Sequence, residues 1–307
     1  MANIQWFPGH MHKTAKEIRE NLSQVDVFFE LLDSRIPYSS GNPLLSEIRG
    51  AKPCIKVMTR SDLADPARTS IWLEQFASEG DTYSMAVSQL ERDKVRSLVK
   101  RCRALFPQRE TPVTAIVVGI PNVGKSTLIN ILADRVIAKT GNEPAITKMQ
   151  QRVQIGQGVV LLDTPGVLWP NIDNPYSGLR LAATGAIRET AMSHEDVAWY
   201  LAQFLLADYA EQLASRYEFE AEETDPAPLL KHIGRQRGCL KAGGGVDMAR
   251  VSRLLLNDFR NGSIGRITLE TPDMMRKEQT EVEHTREEKA AKKAARKQKW
   301  KNRNRES

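Results

Sequence analysis

Cysteine is scarce in this chain of 307 residues. Cys54, Cys102 and Cys239 are scattered, odd in number and without metal-ligand spacing, which excludes a disulfide framework and predicts reduced thiols. Five histidines offer no paired ligand spacing beyond His10 and His12, so a zinc site is not expected. No apolar run approaches the roughly 18 residues that span a bilayer. The N-terminus lacks a basic-then-apolar signal pattern. The expected setting is cytoplasmic, without a membrane partner. Excess charge is also missing from most of the chain. Residues 276–307 hold twelve Lys or Arg against six Asp or Glu, a net +6 that equals that of the whole protein. The remainder is close to neutral, and at 41% hydrophobic it can bury a full core with room for about two domains.

What is present begins with Gly119-Ile120-Pro121-Asn122-Val123-Gly124-Lys125-Ser126, which fits G-x-x-x-x-G-K-[ST] and follows the apolar run Val113 to Val118. A phosphate cradle needs a rigid strand, glycines that let backbone amides close round an oxyanion, and a helix N-terminus facing the charge. Thr127 to Ala133 supplies the helix. Lys125 is expected to reach the β and γ phosphates of a nucleoside triphosphate, and the Ser126 hydroxyl to ligate magnesium. Downstream, Val159 to Leu162 ends in Asp163-Thr164-Pro165-Gly166. Asp163 suits the magnesium shell, through water, and the Gly166 amide suits the γ phosphate. Between them, Thr147 of Pro144-Ala145-Ile146-Thr147 can lend its hydroxyl to magnesium and order its loop while the γ phosphate is present.

The base-reading segment expected after these elements is absent there and lies upstream. The strand Ile55 to Met58 runs into Thr59-Arg60-Ser61-Asp62, whose last carboxylate can accept hydrogen bonds from guanine N1 and its exocyclic amine. Adenine has no matching pair of donors, so Asp62 is the specificity residue of this reading. The segment ending Ala86-Val87-Ser88 would bring amides to the base oxygen.

Base-reading elements first and phosphate-binding elements second is a circular permutation of the small GTPase order. The chain resembles the circularly permuted GTPases of ribosome assembly through Ile4-Gln5-Trp6-Phe7-Pro8-Gly9-His10-Met11, Leu32-Asp33-Ser34-Arg35-Ile36-Pro37, Leu161 to Gly166 and Arg237-Gly238-Cys239-Leu240. It departs from that family's pattern at Thr59 and Arg60, where Asn-Lys is usual, and at Ala145, where glycine is usual. Loss of the asparagine's bond to guanine N7 costs about 0.5–1.5 kcal/mol. The planar head and stem of Arg60 can lie over the base.

The resemblance implies a GTP hydrolase that binds an immature large (50S) ribosomal subunit and its rRNA in the GTP form, late in maturation, and leaves after hydrolysis. Ribosomal proteins are implied neighbours, and a monomer is expected. It implies GTP-binding residues Thr59, Arg60, Ser61, Asp62, Val87, Ser88, Asn122, Val123, Gly124, Lys125, Ser126, Thr127 and Gly166. Magnesium falls to Ser126, Thr147 and Asp163, and Asn122 is implied as a potassium ligand. Val167 stands where Ras-like enzymes place a water-orienting glutamine, and the resemblance points to His10 instead, with Lys125 and Thr147 completing the catalytic set. His10 at the head of a helix also suits a simple cap. Two other readings stay open: a GTP-gated RNA-binding scaffold with dispensable hydrolysis, and an ATP-using P-loop enzyme, against which Asp62 argues.

Helices near Lys13–Leu22, Arg68–Ser78 and Asp93–Leu105 alternate with strands to about Gly166. This pattern predicts a doubly wound, mainly parallel α/β sheet of the P-loop type over residues 1–174. Residues 175–272 read as a small all-α domain, with a capping box at Ser193-His194-Glu195-Asp196 opening a helix that runs to about Tyr217, then helices from Pro226 and over Asp247–Phe259. Tyr200, Phe204 and Tyr209 suit its core. Residues 273–307 read as a basic, disordered tail for RNA, able to become helical over 285–299 on binding.

Overall fold

A computed structural model of the chain describes residue 4 and residues 6–79, 82–137, 151–220 and 225–303. Six strands form one sheet in the order β3-β2-β1-β4-β6-β5: β1 Val27–Asp33, β2 Cys54–Thr59, β3 Thr82–Ala86, β4 Val113–Gly119, β5 Gln151–Gln154 and β6 Val159–Asp163. All neighbours run parallel except the edge strand β5. Every residue of β1 and β4 is buried, as strands covered on both faces require.

Five helices accompany the sheet in chain order: α1 Gly9–Glu20, α2 Pro43–Arg49, α3 Pro66–Ala77, α4 Arg92–Ala104 and α5 Lys125–Ala133. A recurring local signal starts several helices. Asn42-Pro43, Asp65-Pro66, Asn174-Pro175 and Asp225-Pro226 each put a side-chain acceptor at the cap and proline in the first turn, where its missing N–H costs nothing.

The chain moves outward from β1 through β2 to β3, then returns to the other side of β1 as β4 and β6. The carboxyl ends of β1, β2 and β4 therefore meet at a topological switch point, with Asp33 opposite Thr59 and Leu31 opposite Gly119. The permutation is carried by this order.

The remaining helices are α6 Pro175–Ala183, α7 His194–Asp208, α8 Ala210–Tyr217, α9 Pro226–Gln236, α10 Met248–Arg260 and α11 Pro272–Arg303. Ser193 caps α7, its hydroxyl accepting from the Asp196 amide at 3.2 Å. The single helix expected to run to Tyr217 is two, broken at Tyr209 (φ −140°). That tyrosine's buried hydroxyl lies 3.0 Å from Asp65 Oδ2 and accepts from the Thr268 amide, and these ties to other segments override helix continuity.

Of the last segment, expected to be disordered, residues up to 303 are helical. Its first turns are anchored: Glu278 of α11 pairs bidentately with the buried Arg180 of α6 at 2.6–2.9 Å. The hydrophobic core runs without interruption from the sheet (Val117, Leu161) into these helices (Leu201, Leu255). Among the described residues, no helix is long and apolar enough to cross a membrane. All three cysteines are buried and unbonded to one another.

Candidate nucleotide site

Each phosphate-site residue is set by the strand that precedes it. β4 ends at Gly119, where a side chain would begin 2.7 Å from the Leu31 carbonyl, so only glycine lets β1 and the loop approach this closely. The loop closes into α5, whose first residue is Lys125. Its ammonium is buried and folds back onto the Ile120 and Gly119 carbonyls at 2.6 and 3.2 Å. Gly166 stands against the same loop: a side chain there would meet the Pro121 backbone at 2.6 Å and Lys125 Nζ at 3.1 Å. The Asp163-to-Gly166 turn and the P-loop are thus in direct contact. Ser126 and Thr127 are half-buried in the first turn of α5.

Asp163 is 1% exposed, and its Oδ1 has no hydrogen-bond partner among the described residues. An ionisable oxygen left bare in a buried site is costly unless something binds there. Burial pushes the Asp163 carboxyl up and the Lys125 ammonium down, and each charge partly offsets the other's shift. A divalent cation beside Asp163 and a polyphosphate against Lys125 would reverse both tendencies, since each supplies the countercharge that burial removes. The donor set fits magnesium: a hydroxyl at the start of α5 and a bare carboxylate oxygen are hard oxygen ligands. Thr147 and the rest of its segment lie outside the described residues.

The Thr59–Asp62 turn, expected to read the base, is fastened to the 119–126 loop by two bonds. The Thr59 hydroxyl donates to the Val123 carbonyl at 2.6 Å and lies 3.0 Å from the Leu32 carbonyl. Arg60 has φ +58°, and its guanidinium donates to the Asn122 carbonyl at 2.5 Å and approaches Asp33 Oδ2 at 3.5 Å. Its head is thus held between the P-loop and Asp33. Asp62 is half-buried in the turn that follows. Arg266 grips that turn from outside, donating to the Ser61 and Ala64 carbonyls at 2.9 Å each. Val87 and Ser88 are buried beside it. Their amides are already engaged, Val87 N–H with the Met58 carbonyl at 2.8 Å and Ser88 N–H with Glu91 Oε2 at 3.0 Å. For Ser88 to meet a base oxygen, Glu91 must let go.

Asn122 is left-handed (φ +58°), and its amide nitrogen donates to the Gly185 carbonyl at 2.8 Å, which fixes the direction of its side-chain oxygen. Val167 is 1% exposed, with its amide on the Gly119 carbonyl and its carbonyl accepting from Asn42. A buried valine cannot orient water.

His10 sits exposed in the first turn of α1 but does not cap it: the cap position is Pro8, and no side chain bonds there. The next residue, Met11, is buried, and its sulfur accepts from the Leu168 amide at 3.4 Å. This contact seats the head of α1 on the segment that follows Gly166. Partial desolvation, with the nearby Arg188 charge, holds the imidazole below its ordinary value of 6.5. A neutral ring at pH 7 can accept a proton from water.

The sequence reading assigned no role to Asp33 and Arg35. Arg35, fully buried, pairs with Asp33 through Nε at 2.9 Å and Nη2 at 2.7 Å, and donates through Nη1 to the Arg260 carbonyl at 3.3 Å. The signal available was an acid and an arginine two apart at a strand end beside the base loop.

Comparison with known proteins agrees with this arrangement. A family model described as 50S ribosome-binding GTPase matches residues 114–226, beginning in β4 with the phosphate-binding half. Over 294 residues the chain is 39% identical to ribosome biogenesis GTPase A of Bacillus cereus, covering 92% of this chain and 99% of that protein. The chain belongs to the ribosome biogenesis GTPase A family. The family's reach extends to the mitochondrial ribosome-associated GTPase 1 of Mus musculus, 32% identical over 292 residues, with 87% of this chain and 90% of that protein covered. Among solved structures, GNP-bound YlqF from T. maritima superposes with a TM-score of 0.61 at 25% identity, over 85% of this chain and 98% of that one. The family members are GTPases with the permuted fold, and this chain shares both the mainly parallel sheet and the helical C-terminal region.

Proposed function

We infer that this GTPase acts in assembly of the large ribosomal subunit, binding the precursor and its rRNA with GTP bound and leaving after hydrolysis, in the cytoplasm. The carrying observation is the pair of bonds that lock the Thr59–Asp62 turn onto the P-loop, from Thr59 to Val123 and from Arg60 to Asn122. They hold the turn that carries Asp62 against the 119–126 loop, which supports one nucleotide site spanning both.

In this reading Asp62 accepts from guanine N1 and the exocyclic amine, and amides of Val87 and Ser88 turn toward the base oxygen. Amides of Val123, Gly124, Lys125, Ser126 and Thr127 surround the phosphates, with Lys125 Nζ leaving its own loop carbonyls for the β and γ oxygens. Ser126, Thr147 and, through water, Asp163 would hold magnesium, which would supply positive charge against the phosphates. The Gly166 amide meets the γ phosphate, and Asn122 offers its side-chain oxygen to potassium. His10 positions the attacking water. The basic C-terminal stretch, where Lys289 to Arg305 carries nine cations and no acid, contributes phosphate contacts with RNA.

GTP hydrolysis measured with and without large subunits in potassium buffer, with ATP as competitor, tests the reading. Failure of subunits to stimulate turnover, or equal competition by ATP, refutes it. Burial of Val167 favours a second reading, a GTP-gated scaffold whose slow intrinsic hydrolysis is dispensable. Release from subunits loaded with a non-hydrolysable analogue would select that alternative.

A further inference from the structure

Eight residues from five chain segments close a ring of polar contacts behind the P-loop. The Asn122 amide nitrogen reaches the Gly185 carbonyl, just past the end of α6. The last carbonyls of that helix, Ala182 and Ala183, accept from Arg260 Nη2 at 3.0 Å and Nε at 2.9 Å. Arg260 ends α10, and its own carbonyl accepts from Arg35. Arg35 is paired with Asp33, Asp33 neighbours Arg60, and Arg60 returns to the Asn122 carbonyl.

Within this ring the Arg260 side chain acts on the end of α6, while its Nη1 pairs with Glu189 at 3.0 Å. A guanidinium on the last carbonyls of α6 satisfies that of Ala183, adds a second donor to that of Ala182, which already accepts from the Gly185 amide at 3.1 Å, and opposes the negative end of the helix dipole. It also lies 3.6 Å from where a side chain on Gly185 would begin, so it backs the residue whose carbonyl holds Asn122. Asn122 is a left-handed non-glycine residue in the middle of the phosphate loop. That conformation aims the amides that follow it, and it is costly without a partner to hold it.

We propose that Arg260 is a positioning residue for nucleotide binding, acting through Gly185 and Asn122 to keep the P-loop in its phosphate-binding shape. The proposal rests on residues 119–126 being the phosphate site. By reciprocity, nucleotide in that loop tightens the junction of α6 and α10, so the helical region registers whether the site is filled.

The test is the affinity of the full chain for GDP and GTP, with magnesium in sodium buffer. Arg260→Ala should weaken both by roughly tenfold, equivalent to about 1.4 kcal/mol. Arg260→Lys, which keeps the charge, should recover part of the loss, and serves as the second variant if the alanine protein does not fold. Arg216→Ala breaks the ion pair with Asp258 (2.8 Å) in the same helical region without touching α6, and should leave affinity unchanged. On an Asn122→Ala background, Arg260→Ala should add less than about twofold, because both act on one link.

Losses that multiply in the double variant, or an equal loss in Arg216→Ala, would overturn the proposal. Failure of the unaltered chain to bind guanine nucleotide would overturn the reading of the site itself, and this proposal with it.

Discussion

Replacing Thr59 by valine removes one hydroxyl from a site that is 7% exposed and leaves the shape of the side chain unchanged. The hydroxyl has a single proton, and the 2.6 Å separation assigns it to the Val123 carbonyl over the Leu32 carbonyl at 3.0 Å. Without it, the Val123 carbonyl is left facing a methyl group, in a place with little room for water. An unsatisfied buried acceptor costs about 1–3 kcal/mol, more than the roughly 1 kcal/mol of a typical solvent-compensated bond. Because the bond is formed before nucleotide arrives, most of that loss should fall on the stability of the folded chain. Urea titration of the nucleotide-free protein should show Thr59→Val less stable by about 1–3 kcal/mol, with the slope of the titration unchanged. Thr59→Ser keeps the donor and should lose less than about 1 kcal/mol. GDP affinity should fall by less than the roughly 150-fold that 3 kcal/mol would give. A Thr59→Val protein with an unaltered urea midpoint would show that the hydroxyl does not brace the loop.

His10→Ala should reduce turnover at least roughly tenfold while nucleotide affinity stays constant, and single-turnover hydrolysis beside equilibrium binding separates the two. Asp62→Asn should weaken GTP by about 1.5–3 kcal/mol, the worth of a hydrogen bond to a charged acceptor, and narrow its advantage over ATP in competition. Deleting residues 286–307 should weaken RNA or subunit binding and flatten its dependence on salt, read from affinities at two or more ionic strengths. Burial opposes ionisation of Asp33, but the charge and hydrogen bonds of Arg35, followed by the charge of Arg60, outweigh it and hold the carboxyl below its ordinary 3.8. The unfolded state therefore binds this proton first as pH falls. The stability Asp33 contributes should be intact above about pH 5 and lost progressively below its ordinary value, and Asp33→Asn should blunt that part of the acid-unfolding curve.

The buried parallel strands were legible because they read as continuous apolar runs, and Val113 to Val118 and Val159 to Leu162 matched the observed strands to within one residue, whereas the antiparallel edge strand β5, which has no such run, was not read. Helices α2 and α6 escaped because each is short, yet both begin with Asn-Pro, a signal that local chemistry makes readable. The break at Tyr209 was not readable at all. Helical periodicity continues through it, and only ties to Asp65 and Thr268, distant in sequence, interrupt the backbone. The first turns of α11 are likewise held by Glu278 on Arg180, a pairing of residues 98 apart.

At the site, motif spacing singles out residues within one loop, such as Lys125, whose ammonium lies on that loop's carbonyls. It missed those whose task is to join segments. Thr59 and Arg60 illustrate the difference: as departures from Asn-Lys they suggest a weakened base site, whereas in space both donors reach P-loop carbonyls. A brace needs a donor of suitable reach at the end of β2, and a hydroxyl close to the loop or a long guanidinium further out both meet that need. Permutation makes such braces decisive. The turn and the loop are separated by some sixty residues, so no short connection holds them in register, and alignment rests on β1 between their strands and on these two bonds. Substitutions that shorten both donors at once, Thr59→Ala with Arg60→Ala, should therefore cost more than the sum of the single losses, since each remaining bond holds the segments for the other. Additive losses in guanine-nucleotide affinity would place the alignment in the sheet alone.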